Sequence, residues 1–128
     1  MPAYDGARFD PPAPLATVTL RNPDNHAVVS DVSMLLDSGA DVTLIPQASA
    51  DLVGAEVVPG KQYELTGFDG RLSLVAVVRL EVHFCGRTFR GQFLLSDQEW
   101  GILGRNMLNA VPILLDGPNL MWNEHHSE

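Results

Sequence analysis

An aspartate at the end of an apolar run is the residue whose type and position point most directly to chemistry. Asp37 follows Met-Leu-Leu and is followed at once by Ser38 and Gly39. Two carboxylates held together away from bulk water share one proton, so that identical residues act as acid and base. Ser38 adds a hydroxyl group, and Gly39 allows close approach of backbone. The segment predicts a catalytic carboxylate, with a local turn that satisfies its own backbone as the alternative.

A second segment, residues 100–108, reads Trp-Gly-Ile-Leu-Gly-Arg-Asn-Met-Leu, and its Gly104 lies 67 residues after Asp37. Residues 35–41, Leu-Leu-Asp-Ser-Gly-Ala-Asp, resemble the catalytic loop of retroviral-type aspartic proteases, the retropepsins. Residues 102–108 are similar to the hydrophobic-hydrophobic-Gly-Arg-Asn segment that precedes the C-terminal helix of that family. Both segments stand in the family's order, and residues 63–74 match the position of its flap.

The resemblance implies an all-β, retropepsin-like acid-protease fold, a closed barrel or sandwich with two short helices, in which each subunit of a homodimer contributes one aspartate. The sequence count agrees, because Asp37 begins the one Asp-Ser/Thr-Gly triplet of the chain. Asp116 also follows Leu-Leu, but it lacks the hydroxyl residue and lies in predicted turn chemistry. A second copy of the chain must therefore supply the second carboxylate.

The resemblance also assigns roles around Asp37, the residue that would activate the attacking water. Ser38 and Gly39 support the catalytic loop, and the Ser38 hydroxyl bonds across the dimer. Asp41 and Arg105 form a structural ion pair, with solvated surface charges as the alternative. Asp41 further contacts the substrate backbone.

Substrate contacts are expected from two further places. Ala40 and Ile102, with Val42, would line side-chain pockets. The flap tip, Gly67, Phe68, Asp69 and Gly70, would close over an extended peptide, with an ordinary hairpin loop as the alternative.

The elements that position these residues are predicted as mostly β. Alternating and β-branched residues separated by turn chemistry predict strands, and a first-turn proline with a following glycine predicts a short helix at residues 46–53. A second short helix is expected over residues 104–110. The predicted strands cover residues 15–21, 27–36, 55–58, 62–66, 72–84, 88–95, 113–116 and 119–122. Residues 1–14 read as an extended proline-rich arm, 15–122 as the protease domain and 123–128 as a polar tail.

Composition excludes several classes of function. With 128 residues and a formal net charge of −8, the chain is too acidic for a phosphate-backbone binder, and anionic membranes are poor partners. No apolar run approaches the roughly 20 residues of a membrane span, and no secretory signal is visible, so a cytoplasmic protein is expected. One cysteine and four scattered histidines offer no metal site, and no cofactor is expected. Serine-hydrolase chemistry is disfavoured because no Gly-x-Ser-x-Gly elbow surrounds Ser38.

The sequence therefore predicts a homodimeric aspartic endopeptidase that acts on extended segments of peptides or unfolded proteins. A catalytically weak or inactive dimerisation or peptide-binding module of the same fold is the alternative. The chain departs from the viral pattern in two places: about twenty residues follow Leu108, and the flap tip has fewer glycines. These departures favour a cellular, bacterial member and predict a dimer interface built differently from the interleaved terminal strands of the viral enzymes.

Overall fold

The computed structural model describes residues 2–66 and 70–126, which form ten strands and two short helices. The elements in chain order are β1 Tyr4–Asp5, β2 Ala13–Arg21, β3 Val28–Leu36, β4 Leu44–Pro46, α1 Gln47–Leu52, β5 Val57–Thr66, β6 Leu72–Phe84, β7 Arg87–Ser96, β8 Gly101–Leu103, α2 Arg105–Leu108, β9 Ile113–Asp116 and β10 Met121–Glu124.

Eight of the strands form one sheet in the order β1-β2-β3-β8-β4-β7-β6-β5. Strand β2 also pairs with β6 through residues Thr19–Arg21. This second pairing closes the sheet on itself, so the predicted closed all-β architecture with two short helices is confirmed. Closure removes most of the free strand edges that an open sheet would present.

Short parallel pairings form the part of the sheet that carries the loop of residues 37–42, which we call the Asp37 loop. Strand β8 pairs in parallel with β3, with Leu35 opposite Ile102, and also meets β4 where Leu44 lies opposite Ile102. Strand β4 in turn pairs in parallel with β7. The ends of β3 and β8 are thereby held side by side, and Asp37 and Gly104 come directly after those ends.

The core lies between the layers of the closed sheet. Alternating positions of β2 are buried, at Ala16, Val18 and Leu20, as expected for a strand with one face inward. The second half of β6 is buried on both faces, since Val77 and Glu81 are buried as well as their neighbours Val78, Leu80 and Val82. A Cβ atom at Gly101 on β8 would lie 2.5 Å from the backbone carbonyl oxygen of Leu44 and would also overlap the Met34 side chain. Only glycine fits there. The largest fully buried side chains include Leu20, Met34, Ile45, Leu80, Leu103 and Met107.

Several elements differ from the prediction. The two strands expected at 55–58 and 62–66 are one strand, β5, with a register shift between Val57 and Gln62. Strands β4 and β8 were not predicted, because three residues carry too little alternation to be distinguished from a loop.

The segment predicted as an N-terminal arm is paired to the rest of the chain. Within it β1 pairs with β2, and Ala3 forms a bridge with Met121 of β10. The boundaries drawn at residues 14 and 122 stay predictions. Among residues 2–66 and 70–126, no helix has the length and apolar character needed to cross a membrane.

Candidate active site

Asp37 is held by the ladder between β3 and β8. Its N–H donates to the carbonyl oxygen of Leu103 at 3.0 Å, which extends the parallel pairing by one residue. The chain then turns, and the N–H of Ala40 donates to the Asp37 carbonyl oxygen at 3.1 Å. The half-buried carboxylate accepts a bond of 3.0 Å from the Gly39 N–H through Oδ1. The local turn bond and the catalytic position are thus compatible, since the second carboxylate oxygen is not used by the turn.

A buried threonine ties this loop to α2. The Thr43 side chain is 1% exposed, and its hydroxyl donates to Asn106 Oδ1 at 2.7 Å. The Thr43 hydroxyl oxygen also accepts a hydrogen bond of 3.1 Å from the Gly104 N–H. A Cβ atom at Gly104 would lie 2.2 Å from the Val42 carbonyl oxygen, so the two backbones touch. The roles of Thr43 and Asn106 were not predicted from the sequence. Thr43 is a polar residue inside the apolar run 42–45, and that position could have indicated a buried hydrogen bond.

Arg105 holds the Asp37 loop through two backbone carbonyl groups. Its N–H donates to the Ala40 carbonyl oxygen at 2.8 Å, and its Nη1 donates to the Ser38 carbonyl oxygen at 2.7 Å. Within the described part of the chain Arg105 makes no ion pair with Asp41, so the predicted ion pair is corrected. The physical reason is that the guanidinium is engaged by the Ser38 carbonyl, which leaves exposed Asp41 facing solvent and the cleft.

Asp37 lies on the wall of a cleft of about 800 Å³. The Asp37 loop forms one side of the cleft, and the β5–β6 hairpin forms the other. Of the predicted site residues the cleft brings together Asp37, Gly39, Ala40, Asp41 and Ile102. Ser38 contributes its carbonyl oxygen to Arg105 instead, and the predicted bond of its hydroxyl across the dimer stays a prediction. Val42, which was predicted to line a side-chain pocket, also lies in the cleft. The cleft is completed by residues that were not predicted to line it: Leu44, Gln47, Val57, Leu65, Thr66, Leu74, Val75, Ala76, Leu95, Ser96 and Asp97.

The cleft is apolar with an acidic component. Its charged lining residues, within the described ranges, are the three aspartates 37, 41 and 97. The same ranges contain no group of three His, Cys, Asp or Glu side chains placed to hold a metal ion. The arrangement can therefore accept an extended chain with apolar side chains and bring a carboxylate to its backbone.

The predicted flap is a long β hairpin. Strands β5 and β6 stay paired as far as Thr66 and Leu72. Gly70 is exposed and has φ +77, a conformation that favours glycine. The other predicted tip residues, Gly67, Phe68 and Asp69, lie outside the described residues.

The structure is similar to that of the EIAV protease complexed with the inhibitor HBY-793. The two chains are 23% identical, superpose with a TM-score of 0.56, and the match covers 77% of this chain and 86% of that chain. No family model and no curated protein matches the sequence. The structural match defines a retropepsin-like fold, which confirms the predicted fold class, and activity must be argued from the site itself.

Proposed function

We propose that this protein is an aspartic endopeptidase that becomes active as a homodimer. The proposal rests on the placement of Asp37. This residue directly follows a strand of a retropepsin-like fold, its backbone N–H is held by the Leu103 carbonyl oxygen, and it lines a cleft of about 800 Å³. One chain provides one such carboxylate. The second comes from Asp37 of another copy related by a two-fold axis.

The chemistry uses one proton shared between the two carboxylates. The ionised carboxylate takes a proton from a water molecule, whose oxygen attacks the scissile carbonyl carbon. The protonated carboxyl group donates its proton to the carbonyl oxygen, which gives a neutral tetrahedral diol. Proton transfer to the amide nitrogen then breaks the C–N bond and releases an amine and a carboxylic acid. No covalent intermediate with the protein forms.

The proposed substrate is an extended segment of a peptide or an unfolded protein. Backbone groups at the end of β5 and in the loop 39–42 flank the cleft, and an extended chain between them can bond as an added strand. Val42, Leu44 and Ile102 offer apolar surface to its side chains. Exposed Leu74 on β6 adds to that surface from the side of the hairpin.

The test is cleavage of a denatured protein and of an unbiased peptide mixture between pH 3 and 8, at a concentration where sedimentation shows dimers. Asp37→Asn is expected to reduce the cleavage rate by at least about 100-fold, because the shared proton and the base are lost. Asp51→Asn is the matched control, because Asp51 is an exposed carboxylate on α1 and does not line the cleft.

Cleavage is expected to be fastest at acidic pH, because the pair of carboxylates must keep one proton. Activity that rises steadily above neutrality contradicts the mechanism. A confirmed dimer that cleaves nothing under any of these conditions contradicts the proposed function and favours the peptide-binding module.

A further inference from the structure

One end of the cleft is formed where β4 and β7 end side by side. The two strands run in parallel, and their last paired residues are Pro46 and Ser96. Gln47 and Asp97 come next in the chain, and both are exposed residues that line the cleft, as Ser96 does. The parallel pairing therefore brings an amide, a hydroxyl and a carboxylate to the same place. We call these three residues, Gln47, Ser96 and Asp97, the Asp97 end of the cleft.

The negative charge of Asp97 is not balanced by a cation. In the described part of the chain its carboxylate forms no ion pair. Arg8 reaches the same loop, but its guanidinium contacts Glu99 at 3.8 Å. The other charged residues that line the cleft in the described ranges, Asp37 and Asp41, are also acidic. An unpaired negative charge in an apolar cleft attracts a cationic ligand and repels an anionic one.

Two neutral oxygen atoms accompany the Asp97 carboxylate. Ser96 is 8% exposed, and its Oγ accepts a hydrogen bond of 3.1 Å from the Gln98 N–H. A hydroxyl oxygen has two lone pairs, so one of them is left for a donor in the cleft. The amide oxygen of the exposed Gln47 side chain is a further acceptor. The Asp97 end thus offers acceptors of the kind that the several N–H groups of an ammonium or a guanidinium group require.

Apolar side chains line the cleft next to the Asp97 end. Leu44 of β4 and Leu95 of β7 are half-buried and belong to the two strands that end there. Val57 of β5 is 51% exposed and lines the cleft from the side of the hairpin. Lysine and arginine side chains combine an apolar stem with a charged head, and they pack the stem on apolar surface while the head reaches a polar group. The cleft has both kinds of surface in the order that such a side chain needs.

We infer that the Asp97 end is a subsite that selects a lysine or arginine side chain of the peptide substrate. The stem of that side chain packs on the apolar residues of β4, β5 and β7. Its charged head bonds to the Asp97 carboxylate, with Ser96 and Gln47 as additional acceptors. The inference rests on the proposed function, because it names the class of substrate that the same cleft accepts. Recognition and reaction use different carboxylates, since Asp97 follows β7 and Asp37 follows β3.

The first test measures kcat/KM for peptides that carry lysine, methionine or glutamate at one position beside a bond that wild type cleaves. At about pH 6, where an ordinary aspartate is ionised, wild type is expected to prefer the lysine form over the methionine form by about fivefold or more at one such position. Asp97→Asn is expected to bring that ratio close to one, and Asp97→Lys to favour the glutamate form over the lysine form. Glu99→Gln is the matched control, because Glu99 is an exposed carboxylate of the same loop that does not line the cleft. A ratio that is equal in wild type and Asp97→Asn overturns the inference, as does a wild type with no preference for lysine at any position.

A binding measurement separates this inference from the proposed function. An unbiased peptide mixture is passed over immobilised Asp37→Asn, and the retained peptides are sequenced by mass spectrometry. Peptides with lysine or arginine are expected to be enriched, and the enrichment is expected to be lost when Asp97→Asn is added but kept when Glu99→Gln is added, although both additions remove one negative charge.

This enrichment supports the subsite even if wild type cleaves nothing, a result that would contradict the protease. Cleavage by wild type without any preference for a cationic side chain supports the protease and contradicts the subsite. Equal loss of enrichment with Asp97→Asn and Glu99→Gln also contradicts the subsite, because attraction by the net charge of the chain then explains the retention.

Discussion

One hydroxyl group organises the polar contacts beside Asp37. Thr43 is buried, and its oxygen both accepts from the Gly104 backbone and donates to Asn106. Each of these partners would otherwise need water at the edge of the core. The loop that carries Asp37 is thereby fixed relative to the strand that supports it, and a catalytic carboxylate depends on such placement.

Thr43→Val is expected to lower the free energy of unfolding by about 1 to 3 kcal/mol, because the Gly104 N–H and Asn106 Oδ1 lose their partner. Cleavage is expected to slow more than the loss of folded protein accounts for, since Asp37 is less firmly held. Urea unfolding and initial rates on folded protein measure the two effects. Thr17→Val, at an exposed position of β2, is the control; an equal effect at both positions would contradict the role of Thr43.

Gly104→Ala is expected to destabilise the fold by about 3 kcal/mol or more, because its Cβ would lie 2.2 Å from the Val42 carbonyl oxygen and backbone must move. Gly117→Ala is the matched control, since a Cβ there meets nothing within 4 Å. The measurement is the midpoint and slope of urea unfolding for both variants. If Gly104→Ala is as stable as Gly117→Ala, the backbone at Val42 moves without loss of stability and the prediction is wrong.

At the scale of elements, the C-terminal hairpin is bound to the body of the molecule through β10. Trp122 of β10 packs against Phe84, and its indole N–H donates to the Leu15 carbonyl oxygen at 2.9 Å. Glu124 meets Arg87 at the β6–β7 turn, with an Nη1 to Oε2 distance of 2.8 Å. These contacts hold β10 in place.

The Arg87–Glu124 pair predicts a dependence of stability on pH. The Arg87 hydrogen bond holds the pKa of the Glu124 carboxyl below its usual value of 4.5, so the pair stabilises the folded state above that pH. The contribution is lost as the pH falls through the lowered pKa. Glu124→Gln is therefore expected to be less stable than wild type at pH 7 and to approach it at pH 3, as measured by urea unfolding at one protein concentration.

The control for this pair is Glu99→Gln, because Glu99 lies in an exposed, longer contact with Arg8 at 3.8 Å. At pH 7 the free energy of unfolding of Glu99→Gln is expected to differ less from that of wild type than the free energy of unfolding of Glu124→Gln does. A difference between Glu124→Gln and wild type that stays constant from pH 7 to pH 3 would contradict an ionic origin.

At the scale of the whole molecule, the proposed dimer must overcome charge. Each chain carries a formal net charge of −8, so two copies repel at long range. Apolar surface that two copies bury against each other attracts at short range only. Salt therefore weakens the repulsion more than the attraction.

Raising the ionic strength from about 10 mM to about 150 mM shortens the screening length from roughly 30 Å to roughly 8 Å. The dimer dissociation constant is expected to fall several-fold over that range at pH 7. Sedimentation equilibrium at both ionic strengths measures it, and the cleavage rate per chain is expected to rise in parallel at concentrations near that constant. A dissociation constant that increases with salt would indicate an interface dominated by ion pairs.

Local sequence is enough to predict the position of Asp37 at a strand end, the order of the two motifs and the mostly-β character of the chain. These features are local: a strand that ends in Asp-Ser-Gly, alternating side chains and turn residues are all visible in neighbouring positions. The same reasoning predicted that a second copy must complete the site, because it needs no more than a count of Asp-Ser/Thr-Gly triplets.

Contacts between segments that are distant in sequence depend on tertiary packing. The short strand β8 forms because it pairs with β3, and the short strand β4 forms because it pairs with β7. The Thr43 hydroxyl likewise donates to Asn106, which lies 63 residues further along the chain. The resemblance paired Arg105 with Asp41, but the folded chain brings the guanidinium to the Ser38 carbonyl. Short strands and long-range contacts carry little local signal, so packing and backbone hydrogen bonding decide them.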